Sequence, residues 1–172
     1  MKSLANKVAL ITGAGSGIGR AAALLLTEHG VKVGVLNRSK ENADMVTKEI
    51  EQNGNGNRIF SNFGFSAYSA SKAGQVAFMK MAALELAGYG IRVNAICPGG
   101  ITTNIGENTH KRSEVEDVRI PIEFPEGNQP LEHGPGSPEQ VAQLLLFLSS
   151  DNSNHISGTE IYIDGVESLI RG

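Results

Sequence analysis

The chain has 172 residues with 15 Lys and Arg against 18 Asp and Glu, a net charge of −3. That length suits one domain (1–172), the charge gives no support to nucleic-acid binding, and no basic run suggests a membrane surface. Cys97 is the only cysteine, which excludes an internal disulfide, and the first apolar run is too short for a signal-peptide core or a membrane span, so a soluble cytoplasmic protein is expected.

The first half reads as strand, turn, helix, strand, helix. Val8 to Ile11 form an unbroken apolar run, the pattern of a parallel strand buried on both faces. Glycines follow, and then Ile18, Ala21, Ala22, Leu25 and Leu26 recur at helical spacing up to Gly30, a helix C-terminal glycine. Val31 to Leu36 is a second strand, and Ser39 can cap a helix that buries Ala43, Val46 and Ile50 and ends at Asn53-Gly54. A βαβα opening of this kind predicts an α/β, Rossmann-like, doubly wound parallel sheet.

The second half begins with a helix that carries Tyr68 and Lys72 and runs to about Leu86. A strand is expected over Ile91 to Gly100, ending in a Pro-Gly turn. Residues 104–136 are polar and rich in Pro and Gly, and so long a stretch inside a compact domain suggests a substrate lid. Ser137, Pro138 and Gln140 then announce a helix through a capping box, and Glu160 to Ile163 is the last strand.

Two clusters carry chemistry. The first is Thr12-Gly13-Ala14-Gly15-Ser16-Gly17-Ile18-Gly19, which fits T-G-x-x-x-G-x-G rather than the common dinucleotide fingerprint. Glycines there let the backbone turn sharply and approach a pyrophosphate, whose charge faces the helix N-terminus. Such a turn can also be purely structural, but its place between an apolar strand and an amphipathic helix favours a nucleotide. No Lys-Ser/Thr pair follows, which excludes a P-loop. At the end of the second strand, where an acidic residue would bind a ribose diol, stand Asn37 and Arg38. An amide beside a guanidinium suits a 2′-phosphate better, so NADP is expected, with NAD possible.

The second cluster is Tyr68 and Lys72, four residues apart on one helix and therefore on one face. An ammonium near a phenol favours the phenolate and lowers its pKa from about 10, which makes tyrosine a usable general acid or base. The small residues Ser69, Ala70, Ser71, Ala73 and Gly74 let something pack closely there. The four histidines have no metal-ligand spacing, and no metal is expected.

With Asn94-Ala95-Ile96-Cys97-Pro98-Gly99 and Thr103, these motifs stand in the order of the short-chain dehydrogenase/reductase family, which the chain resembles over most of its length. The resemblance implies an oxidoreductase that interconverts a ketone and a secondary alcohol. In it Tyr68 is the catalytic acid/base and Lys72 holds the nicotinamide ribose and tunes Tyr68. Gly13, Gly15, Ser16, Gly17, Ile18 and Gly19 would hold the pyrophosphate, and Pro98, Gly99, Ile101 and Thr103 would lie along the nicotinamide. It also implies a homo-oligomer, a dimer or tetramer, acting on a small carbonyl or alcohol. The sequence departs from the family in one place. Only 55 positions separate Gly13 from Tyr68, no Asn-Asn-Ala-Gly segment appears, and the family's catalytic asparagine has no counterpart; its serine would fall near Asn55 or Gly56, and Ser61, only seven residues before Tyr68, is not carried over. The fourth strand and most or all of the fifth are therefore missing from the sheet, with the join inside "NGNGNRIFSNFGFSAY". A non-catalytic nucleotide-binding or subunit-interaction remnant of the family is the alternative of a different class.

Overall fold

The computed structural model describes residues 4–37, 39–51, 65–103 and 129–171. Strand β1 (Val8–Thr12) leads through the glycine turn into helix α1 (Gly17–Glu28), and β2 (Lys32–Leu36) into α2 (Lys40–Glu51). Helix α3 (Phe65–Leu86) and a short 3₁₀ turn (Ala87–Tyr89) precede β3 (Ala95–Pro98). Helix α4 (Pro138–Ser149), β4 (Glu160–Ile163) and α5 (Glu167–Arg171) complete the order.

All strand pairing is parallel, as the βαβ pattern demands. β1 pairs with β2, Val8 opposite Lys32 and Thr12 opposite Leu36, and β3 pairs with β4, Ala95 opposite Glu160 and Pro98 opposite Ile163. Among the described residues these remain two separate two-stranded sheets. The arrangement is that of an incomplete Rossmann-like α/β unit, and it accords with the two strands expected to be missing between β1 and β3.

Burial follows from that split. On one face of the first sheet, Val33 and Val35 are 2% and 0% exposed and join a core with Ala23, Leu26, Val46 and Leu146. On the other face Val8 is 79% and Leu10 68% exposed, with Leu10 folded over Gly34. The expectation that β1 is buried on both faces is therefore corrected: no described element covers that second face. Helix α1 lies along α4, where Ala21 and Ala22 meet Ala142 and small side chains let the helices approach closely.

The strand expected over Ile91 to Gly100 shortens to β3. Side chains join the backbone pairing before it: the Gly158 N–H donates to Val93 O at 2.8 Å, Val93 N–H donates to Ser157 Oγ, and the Asn94 amide donates to Ile156 O at 2.9 Å. Arg92 donates to the carbonyls of Leu148 and Ile156, which ties the C-terminal end of α4 to this segment. Among its described side chains helix α3 buries Met79, Ala82 and Ala83, a single stripe at helical spacing, and Lys80 pairs with Glu160 of β4 at 2.6 Å. The negative Glu160 beside it, first by hydrogen bond and then by charge, raises the Lys80 pKa.

Candidate functional site

The glycine turn is built by close approach. Gly13 (φ +70°) and Gly17 (φ +51°) occupy the left-handed region that favours glycine. A Cβ on Gly19 would run into the Gly13 carbonyl, and one on Gly15 would collide with the Asn37 amide group. The turn is tied to β2 by the Ala14 N–H, which donates to Leu36 O at 3.1 Å. Ser16 stands at the N-cap of α1 in extended conformation and makes no side-chain cap, so the first-turn amides are met by no side chain of their own N-cap. Ile18 is half-buried inside the first turn.

Thr103 closes the turn from the other half of the chain. Its methyl lies 3.0 Å from where a Cβ of Gly17 would stand. Between the two runs a cleft of about 410 Å³, lined by Gly15, Ser16, Gly17, Arg20, Thr102 and Thr103, with Asn42, Met45 and Val46 of α2 and Pro138 and Glu139 of α4. This is a backbone-rich cradle at a helix N-terminus, and its chemistry suits an anionic group such as a pyrophosphate. Thr102, Asn42 and Glu139 were not singled out in the sequence, since only the folded chain brings α2 and α4 to the turn.

The remaining candidates divide. Asn37 is held at the turn, over Gly15, and donates weakly to Ser39 O at 3.4 Å. Arg38 and the side chains of Ala43, Ile50 and Tyr68 lie outside the described residues, as does the stretch 104–128 of the expected lid. Lys72 is exposed on α3, donates to Gln75 Oε1 at 3.1 Å, and is not among the residues lining the cleft. Pro98 ends β3, and Ile101 bridges in parallel to Gly136. Thr102 N–H donates to Gly136 O and Gly136 N–H to Gly100 O, so the run from Pro98 to Thr103 is stitched to the chain just before α4.

Below the cleft lies a second cluster that sequence reasoning missed. Gln129 is 3% exposed, and its amide nitrogen donates at 2.9 Å both to Gly100 O and to Glu167 Oε2. The same Glu167 oxygen accepts the Gly100 N–H at 2.9 Å. A Cβ on Gly99 would stand 2.8 Å from that oxygen and from Asp164, which explains the glycine. Gly165 (φ +57°) and Val166 (φ +66°) both take the left-handed conformation. For β-branched Val166 that is strained, at a cost of about 1–3 kcal/mol, and such a turn persists only where its surroundings fix it. Asp164 does so by accepting the N–H groups of Val166 (3.1 Å) and Ser168 (2.8 Å). Hydrogen bonds from Ser168, foremost, hold the Asp164 carboxyl below its ordinary range. Nearby, Cys97 is partly buried in β3, and burial first, then the charges of Glu160 and Asp164, push its thiol pKa up, against reactivity.

The comparisons with known proteins agree with this frame. Residues 55–165 match the family model described as enoyl-(acyl carrier protein) reductase, and residues 7–63 the model for short chain dehydrogenase. The chain is 44% identical over 109 residues to the 3-oxoacyl-(acyl-carrier-protein) reductase FabG of Thermotoga maritima, covering 62% of this chain and 40% of that protein. It is 38% identical over 104 residues to the levodione reductase of Leifsonia aquatica, covering 60% and 38%. The aligned part thus spans about two fifths of the length of these curated relatives. A crystal structure of a 3-ketoacyl-ACP reductase from Sinorhizobium meliloti superposes with a TM-score of 0.84 at 31% identity, over 95% of this chain and 100% of that one. The first of these models spans more than half of the chain, and the chain belongs to the short-chain dehydrogenase/reductase family.

Proposed function

We propose that this chain is an NADP-dependent oxidoreductase that interconverts a ketone and a secondary alcohol, with NAD as the less favoured cofactor. The observation that carries the reading is the meeting of Gly17 and Thr103 across the cleft, because it joins the two cofactor-facing motifs of a family member. The cofactor supplies a hydride donor or acceptor when bound. The amides at the start of α1, with Gly13, Gly15 and Ser16, would receive its pyrophosphate, and Asn37 and Arg38 would serve the adenosine ribose. Pro98, Gly99, Ile101 and Thr103 would serve the nicotinamide end. Tyr68 gives a proton to the substrate oxygen in reduction and takes it back in oxidation, while Lys72 holds the ribose and favours the phenolate. The substrate is a small carbonyl or alcohol compound. The apolar side chains that α3 exposes, Phe78, Met81 and Leu84, support a homo-oligomer, a dimer or tetramer, and the reading places it in the cytoplasm. No helix among the described residues is long and apolar enough to cross a membrane.

A second reading, cofactor binding without turnover, draws on one observation: no described residue of α3 lines the cleft. NADPH oxidation with a panel of ketones, measured beside NADPH binding, separates the two. Tyr68→Phe is expected to cut ketone reduction at least about a hundredfold while leaving the NADPH Kd unchanged. Equal activity in that variant removes Tyr68 from the chemistry. Binding by the wild type with no turnover of any ketone selects the second reading.

A further inference from the structure

Three parts of the chain far apart in sequence converge on one oxygen. The Glu167 carboxylate accepts from the Gly100 N–H, which follows β3, and from the Gln129 amide, which precedes α4. Gln129 closes the ring by donating to Gly100 O, so both backbone groups of Gly100 are engaged. A hydrogen bond to a charged acceptor is among the stronger kinds, and this one is shielded on the Gln129 side, where little of the side chain meets water. The strained Gly165-Val166 turn is what aims Glu167 at Gly100, and Gln129 packs on it, 3.1 Å from where a Cβ of Gly165 would be. Asp164 holds this turn at the start of α5, which has only five residues.

We propose that Gln129 and Glu167 are positioning residues for the cofactor. They lock the Gly99-Gly100 turn so that the run through Ile101 and Thr102 delivers Thr103 to Gly17. The inference rests on the dinucleotide reading above and assigns this pair a task that composition and motif do not reveal. Glu167 acts as a hydrogen-bond acceptor, so a neutral glutamine in its place keeps most of the function. The adenosine end of the cofactor lies beyond the reach of the lock, so its binding is independent of the pair.

The test is a set of fluorescence titrations on the full chain with NADPH and with adenosine 2′,5′-bisphosphate, which has neither pyrophosphate nor nicotinamide. Glu167→Ala and Gln129→Ala are each expected to raise the NADPH Kd about tenfold, and Glu167→Gln to stay within about threefold of wild type. Adenosine 2′,5′-bisphosphate should bind all four proteins alike, while hydrogen exchange at the Gly100 amide quickens in the two alanine variants only. If Glu167→Ala does not fold, Gln129→Ala and Glu167→Gln carry the comparison. Wild-type NADPH affinity in the alanine variants, or equal weakening of both ligands, overturns the positioning role alone. A wild type that binds neither NADPH nor NADH overturns the dinucleotide reading together with this role.

Discussion

At α4 the first-turn donors are met from within the helix. Ser137 Oγ accepts the Gln140 N–H at 3.3 Å, and Gln140 Oε1 accepts the Ser137 N–H at 2.7 Å. At α1, whose N-terminus opens on the same cleft, Ser16 offers no such bond, and Gly13 and Gly15 stand in the loop before it. One helix end is served by its own side chains, and the other, on the proposed reading, is left for a ligand. The difference teaches how to separate a structural terminus from a binding one: not by the presence of Ser at the N-cap, which both share, but by what that Ser does. A terminus kept open costs stability in the empty protein and recovers it through the anion it receives.

The sharpest way to break this comparison is to fill the open turn. In Gly19→Ala the new methyl would press on the Gly13 carbonyl and lie 3.0 Å from Ala14 Cα, both backbone atoms that cannot swing aside. A loss of about 1–3 kcal/mol of stability is expected from such overpacking, together with loss of NADPH binding. Urea unfolding beside NADPH titration measures both. A variant that binds and unfolds like wild type would mean that the turn is slack and that its glycines do not shape a cradle.

Much of this was legible in the sequence because it depends on local chemistry. The capping box at Ser137, the last strand at Glu160 to Ile163, the end of α3 at Leu86 and the glycine turn all appear where turn residues and periodicity put them. Burial was less legible, since it belongs to the neighbour as much as to the residue. The apolar runs of β1 and β2 read alike, yet Val35 is enclosed and Val8 is bare, because the described elements cover only one face of their sheet. The Gln129–Glu167 contact was not legible at all. It joins residues 38 apart through a polar pair that looks like ordinary surface until the turn at Gly165 folds it inward.

A smaller effect sharpens the contrast between the two serines. Ser137→Ala should cost about 1 kcal/mol, because it removes a cap from a helix that packs along α1. Ser16→Ala should stay within about 0.5 kcal/mol in the cofactor-free protein, where Ser16 makes no side-chain cap. Parallel urea titrations of the two variants decide the matter. Equal costs would show that Ser16 caps α1 in solution after all, and the open terminus would lose its support.

The smallest effect concerns a third cap, that of α5. Asp164 takes the N–H groups of Val166 and Ser168, and these bonds hold its pKa below the ordinary aspartate value of about 3.9. The sign follows from which state holds the proton. Because the folded carboxyl resists protonation more than the unfolded one, its stabilisation is complete above the unfolded pKa and is lost as pH falls through the folded pKa. The carboxyl is only partly buried, so the change in global stability is slight, and the local readout is the better one. On acid titration, the amide signals of Val166 and Ser168 should shift together, with a midpoint below that of an unstructured aspartate. Asp164→Asn should remove that transition while leaving Gly99 its close approach to β4. A midpoint at or above the ordinary value would mean that the carboxylate does not cap α5, and the strained turn that aims Glu167 at Gly100 would then lack its fixed end.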